Sequence, residues 1–213
     1  MTSIVINLTL LVSMFPPLPN KKYSIIYADP PWHYKMQEFK FPKKNKKGKS
    51  LYTIKGQYDT VTDEDLKKLD IESISEDDSL LFMWAVSPKL KEGIELMEAW
   101  GFEYRTIAFV WHKDRSNRGN YTMSNCEICL VGKRGKIPEK SSHSEQQFMK
   151  EKVERHSQKP LQAYIRIQNM FPDCKRIELF SRGVSKQASL DIGSNFSYSI
   201  DNNWDIWGDQ VID

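Results

Sequence analysis

The run Asp29-Pro30-Pro31-Trp32 gathers the groups that alkylation of an aromatic amine requires. An exocyclic amine on a base has its lone pair delocalised into the ring and is a poor nucleophile. A site that alkylates it must draw the nitrogen toward tetrahedral geometry. Two acceptors aimed at its two N–H groups do this, and a carboxylate and a backbone carbonyl suit the task. Proline fixes φ and brings no competing N–H, so Pro30 and Pro31 can hold such a carbonyl in place. The face of Trp32 can stack on the base, a contact worth about 1–3 kcal/mol. The competing reading is a turn with a capping Asp29 and a core Trp32. The preceding residues favour chemistry. Ser24 to Ala28 is a short apolar run closed by Pro30, which reads as a buried parallel strand. Ligands of such sheets sit beyond the carboxyl ends of strands.

The elements that must position this motif follow from the rest of the chain. Thr62 with Asp63, Glu64 and Asp65 predicts a helix start with an acidic first turn. Ser79 to Val86 reads as a second buried strand. The segment after it has Pro88 near its start, Leu90, Ile94 and Met97 at helical spacing, and Gly101 as the stop. Further strands are expected at Arg105 to Trp111 and at Glu127 to Gly132. The segment 142–160 is polar and irregular, and leads to Pro160 at the start of a helix running to about Met170. Cys174 to Arg182 reads as another strand. Strands alternating with helices indicate a single α/β domain with a mainly parallel sheet. Residues 1–20 read as a packed or peripheral segment, because the apolar run there is too short to span a bilayer and lacks a signal peptide's basic start.

Charge and cysteine content narrow the classes. The net charge of +3 is too mild to demand nucleic acid by itself. Its distribution is more telling, since Lys43, Lys44, Lys46, Lys47 and Lys49 crowd the loop that follows the motif. Such a run is a solvated loop or a phosphate-contacting one. Three cysteines, Cys126, Cys129 and Cys174, give no disulfide framework and suit a reducing cytoplasm. Cys126 and Cys129 have metal-like spacing, but three residues apart on a strand they face opposite ways, and no metal is expected.

Several segments, in one order, resemble the MT-A70 family of adenine-N6 methyltransferases. They are DPPW at 29–32, QYDTVTDEDLKKL at 57–69, LLFMWAV at 80–86, VWHK at 110–113 and CEICLVGKRG at 126–135. HSQKP at 156–160, KRIELFSR at 175–182 and NWDIWGDQ at 203–210 complete the set. The similarity covers roughly Tyr23 to Val211 and is greater to compact bacterial and phage members. It implies a Rossmann-like class I methyltransferase fold with the catalytic motif ahead of the cofactor motif, and S-adenosyl-L-methionine as cofactor. It implies Asp29 as the catalytic aspartate, near both the target amine and the cofactor amine, with Pro30 and Pro31 beside it and Trp32 as the base-stacking aromatic. Tyr58 matches a tyrosine that faces adenine, and Lys159 the lysine that pairs with the cofactor carboxylate. A lysine at a helix start opposes the helix dipole, an odd choice unless an anion sits there. Glu178, Phe180 and Arg182 match the cofactor strand, and their spacing of two predicts one shared face. Asp209 and Gln210 match the pair on the ribose hydroxyls.

The chain departs from the family after Arg182, where a polar insertion over 183–202 reads as a mobile loop. Val184-Ser185 stands where eukaryotic members carry His-Asn, and Asp209 where Asn is common. The expected reaction is methyl transfer to N6 of adenine in nucleic acid, DNA before RNA, in the cytoplasm of a bacterial or phage-infected cell. The lysine loop, Trp111, Lys113 and the segment Lys113 to Arg118 are the expected substrate contacts. A homodimer or a partner subunit stays open. The rivals are the same chemistry on RNA, a catalytically silent nucleic-acid-binding subunit, and cytosine-N4 transfer.

Overall fold

A computed structural model describes residues 15–32, 61–118, 121–152, 159–181, 189–191 and 197–208. Its centre is a seven-stranded sheet. In chain order the strands are β1 (Tyr23–Ala28), β2 (Ser75–Ala85), β3 (Glu103–Arg118), β4 (Met123–Arg134), β5 (Phe148–Lys150), β6 (Arg176–Leu179) and β9 (Trp204–Trp207). They lie in the order β5-β3-β4-β2-β1-β6-β9. Strand β1 pairs in parallel with both β2 and β6, which makes it central, and β6 pairs in parallel with β9. Only β4 runs against the others, antiparallel to both β2 and β3. The mainly parallel sheet anticipated from the sequence is therefore present, with one reversed strand.

Alternation along β1 divides the core. Ile26 and Ala28 face one side, where α2 (Leu90–Ala99) packs with Leu96 and Met97. Ile25 and Tyr27 face the other, against Leu161, Tyr164 and Ile165 of α3 (Leu161–Met170). The same period of two sends the next odd residue, Asp29, to the α3 side. Helix α1 (Asp63–Lys67) starts as expected: the Thr62 hydroxyl accepts from the Asp65 N–H at 3.1 Å, and the Asp65 carboxylate accepts from the Thr62 N–H at 3.3 Å. This reciprocal cap satisfies donors that a helix start leaves orphaned. The stop after α2 is Gly101, at a φ of 81° that suits glycine.

Several expectations need correction. Strands β3 and β4 run well past the limits anticipated and form an antiparallel hairpin. The polar segment before Pro160 contributes β5, parallel to β3. Strand β6 ends at Leu179, not Arg182, because Phe180 takes a left-handed φ of 60°. Within the insertion, β7 (Ser189–Asp191) and β8 (Ser197–Ser199) pair as a small antiparallel ladder. The chain returning from it is tied down: the buried Arg176 guanidinium donates to Asp201 at 2.5 Å and to the carbonyls of Phe171 and Pro172. The end of the N-terminal segment is packed, with Phe15 buried against Phe180 and Trp207. Among the described residues, no helix is long and apolar enough to cross a membrane.

Candidate active site

Asp29 leaves the carboxyl end of β1, where its N–H still reaches the Leu179 carbonyl of β6 at 3.5 Å. Its carboxylate meets the Lys159 ammonium at 3.0 Å. Lys159 arrives just ahead of α3 and also binds the Glu127 carboxylate of β4 at 3.0 Å. Glu127 in turn binds Lys113 of β3 at 2.7 Å. The result is an alternating row of charges, Asp29–Lys159–Glu127–Lys113, along the carboxyl edge of the sheet. All four side chains are largely buried. Burial works against the charge on Lys159, but Asp29 and Glu127 outweigh it and hold the ammonium pKa above the ordinary lysine value. Burial likewise pushes the Glu127 carboxyl up, and the attraction of Lys159 and Lys113 more than reverses it. Lys159 also lies 5.5 Å from the centre of the Trp84 ring, a cation–π contact.

The start of α3 already carries an anion of the chain. The Glu151 carboxylate accepts from the N–H of Leu161 at 2.7 Å and of Gln162 at 3.0 Å. It caps α3, while Lys159 is turned toward Asp29 and Glu127 instead.

The rest of the motif is pinned rather than displayed. The Trp32 N–H donates to the Pro30 carbonyl at 2.8 Å, closing a tight turn around Pro31. The Trp32 indole N–H donates to the Trp84 carbonyl at 3.0 Å, and its ring is half-buried against the core. A side chain on Gly93 of α2 would come to 3.8 Å from that ring and 3.3 Å from Ala85, so the small residue lets α2 lie close behind the motif.

Beneath Asp29, on the α3 side, sits a buried polar network. Glu178 accepts from the Tyr164 hydroxyl at 2.7 Å and from Ser181 at 2.9 Å. The Trp84 indole N–H donates to the Tyr27 hydroxyl at 2.7 Å, and the Tyr27 and Tyr164 rings stand 4.7 Å apart. Burial, with help from the Asp29 charge, pushes the Glu178 carboxyl up to about 7 against the pull of its two hydrogen bonds.

The expected residues therefore separate. Asp29, Lys159 and Lys113 come together, and Glu178 lies directly below. Phe180 does not share a face with Glu178: its left-handed turn drops the ring into the opposite side of the core, against Trp100 and Trp207. Trp111 cannot stack on a substrate, since it is 2% exposed, packs on Trp84 and donates to the Glu151 carbonyl. Lys113 spends its charge on Glu127 rather than pointing into solvent. Tyr58, Lys43, Lys44, Lys46, Lys47, Lys49, Arg182, Asp209 and Gln210 lie outside the described residues. Glu127 and Glu151 were not singled out by sequence. The available signal for Glu127 was a lone acid between two cysteines in an otherwise apolar strand; Glu151 carried none.

The mainly parallel seven-stranded sheet is that of a class I methyltransferase fold, and the family match carries that class. The chain belongs to the MT-A70 family, whose match spans residues 23–195. It is 40% identical over 211 residues to the Type II methyltransferase M.MunI of Mycoplasma sp, covering 95% of this chain and 84% of that one. It is 28% identical over 169 residues to the human N(6)-adenosine-methyltransferase catalytic subunit METTL3, covering 76% of this chain but 26% of that one. An Arabidopsis thaliana N(6)-adenosine-methyltransferase MT-A70-like protein is 27% identical over 184 residues, and the chain spans 24% of its length.

Proposed function

We propose that the protein transfers a methyl group from S-adenosyl-L-methionine to N6 of adenine in DNA, with Asp29 and Lys159 at the centre of the site. The observation that carries this reading is the buried Asp29–Lys159 pair at the end of β1, inside a chain of the MT-A70 family.

The residues suit the cofactor. Its amino-acid end is a zwitterion, and Lys159 has three donors while Asp29 has acceptor positions on both oxygens. The lysine can therefore hold a carboxylate while the aspartate receives an ammonium, with Glu127 balancing the lysine throughout. When bound, the cofactor supplies an electrophilic methyl carbon on a sulfonium.

The chain's own part is to hold the amine. Asp29 accepts one N–H of the adenine amine. The Pro30 carbonyl, which has two lone pairs, accepts the other while keeping the Trp32 amide. Both acceptors are fixed before the base arrives, by the strand end and by the turn around Pro31, so little reorganisation remains at transfer. Trp32 is held at its indole N–H and supplies a wall to the base rather than a free plate. If the target is duplex, its base must leave the stack, at a cost of a few kcal/mol.

DNA is preferred because the Type II relative aligns over most of both chains, whereas the adenosine-methyltransferase relatives are matched over a quarter of their length. A direct test incubates the protein with methyl-labelled cofactor and either DNA or RNA, digests the polymer and identifies the labelled nucleoside. N6-methyldeoxyadenosine is expected. Label in cytosine, or in RNA alone, would overturn the reading.

A further inference from the structure

The β3–β4 hairpin runs on beyond the sheet it belongs to. Ala85 at the end of β2 pairs with Ile128, yet β3 and β4 remain paired out to Arg118 and Met123. The root of this projection is the catalytic row itself, through Lys113 and Glu127. Just above the root, Lys113 to Ser116 lie opposite Asn125 alone, since His112 pairs with Cys126 and Asn117 with Ser124. Such a bulge kinks a ribbon and raises its twist, and bulges recur where a strand must be re-aimed next to an active site. Beyond the root, where Glu127 neutralises Lys113, the arm's sequence carries Arg115 and Arg118 against the single acid Asp114. At its turn Tyr121 is 98% exposed, and Met123 behind it is 59% exposed. From Cys126 to Met123 the paired strand extends about 10 Å at the rise of a strand, with Tyr121 beyond it.

No fold requirement explains a fully exposed tyrosine at the tip of a basic arm. Among the described residues none covers its ring, which stands 98% exposed. A basic arm that projects beside the site and ends in an aromatic face fits a polyanion with stacked bases. Side chains that insert between base steps stabilise the unstacked state, and an exposed ring can replace the stacking that a departing base gives up.

We infer that the β3–β4 hairpin is a duplex-engaging arm, with Tyr121 entering the stack as the target adenine leaves it for Asp29. This rests on the reading of the site as an adenine methyltransferase centre and adds the form of substrate that the chain is built to open. Charge favours DNA over a protein surface, because the exposed Tyr121 follows a segment whose sequence, Lys113 to Arg118, is polar and basic rather than apolar.

The test compares plasmid DNA as duplex and after heat denaturation, with wild type, Tyr121→Ala and Tyr121→Trp. Tyr121→Ala should lower kcat/KM on the duplex by roughly tenfold or more, the scale of one lost stacking contact. Its activity on denatured strands and its affinity for the cofactor should stay within about twofold, and Tyr121→Trp should retain duplex activity. Equal losses on both substrates, or no loss on either, would overturn the inference. So would a fall in oligomeric state of Tyr121→Ala by sedimentation, which would mark the tip as a protein contact. A wild type active on denatured strands alone removes the arm's role but leaves the adenine reading standing. A wild type that binds cofactor and methylates neither form defeats both.

Discussion

Lys159 carries the electrostatics of the site because it is the shared cation of two carboxylates. Replacing it with alanine leaves Asp29 and Glu127 facing a common, largely buried space with no positive charge between them. Breaking a buried pair from one side typically costs ~3–5 kcal/mol. Lys159→Ala should therefore melt at lower temperature and bind cofactor poorly by calorimetry. A variant as stable as wild type with unchanged affinity would remove the lysine from the account. Glu178 yields a second prediction, with a definite sign. Its carboxyl is pushed up from the ordinary 4.5 to about 7 in the folded protein. Between those values the native state holds a proton that the unfolded chain has lost. Stability must then fall as pH rises from about 4.5 to about 7 and level off above, a change on the order of 3 kcal/mol. Glu178→Gln keeps an acceptor for Tyr164 and carries no charge, so denaturant unfolding of this variant should lose that slope. A slope identical to wild type would show that Glu178 is not its source.

At the scale of elements, close packing of α2 on the sheet is the exposed weakness. A side chain at Gly132 of β4 would stand 2.4 Å from the Met97 sulfur and 3.1 Å from the Phe102 Cβ. Met97 can yield, but Phe102 Cβ is fixed to its backbone. Gly132→Ala should destabilise by about 1–3 kcal/mol, read by thermal unfolding, since overpacking a filled core forces such shifts. An unchanged melting temperature would contradict this packing. The elements that sequence revealed were those with a strong local signal: the apolar run of β1, the Thr62 cap of α1, and Pro160 before α3. Those it blurred had none. The outer half of the β3–β4 hairpin is polar because it leaves the sheet, and β5 is three residues long with one buried side chain. Spacing of two placed Phe180 beside Glu178, which holds only while the backbone stays extended. The left-handed turn at Phe180 ends that alternation and was invisible to periodicity.

For the whole molecule, function was more legible than burial. The order of motifs along the chain pointed to the family, and Asp29 and Lys159, 130 positions apart, meet at 3.0 Å. Trp111, in the VWHK segment, was expected to contact substrate. It is a core residue because β3 is covered there by β5 and the chain leading into α3. Glu127 escaped notice because its partners come from other elements, and pairing across a sheet is not written in spacing. In the proposed site the central strand ends on a carboxylate, the layer of α3 supplies the cation, and the rigid turn around Pro31 would supply the other acceptor. This arrangement is tested most directly by single-turnover methyl transfer to DNA with saturating cofactor, comparing wild type with Asp29→Ala. The wild type should form N6-methyldeoxyadenosine, and the folded variant should be slower by roughly 100-fold or more, the scale of losing one preorganised partner of the reacting group. A folded Asp29→Ala variant that transfers methyl at a rate near the wild type's would contradict it.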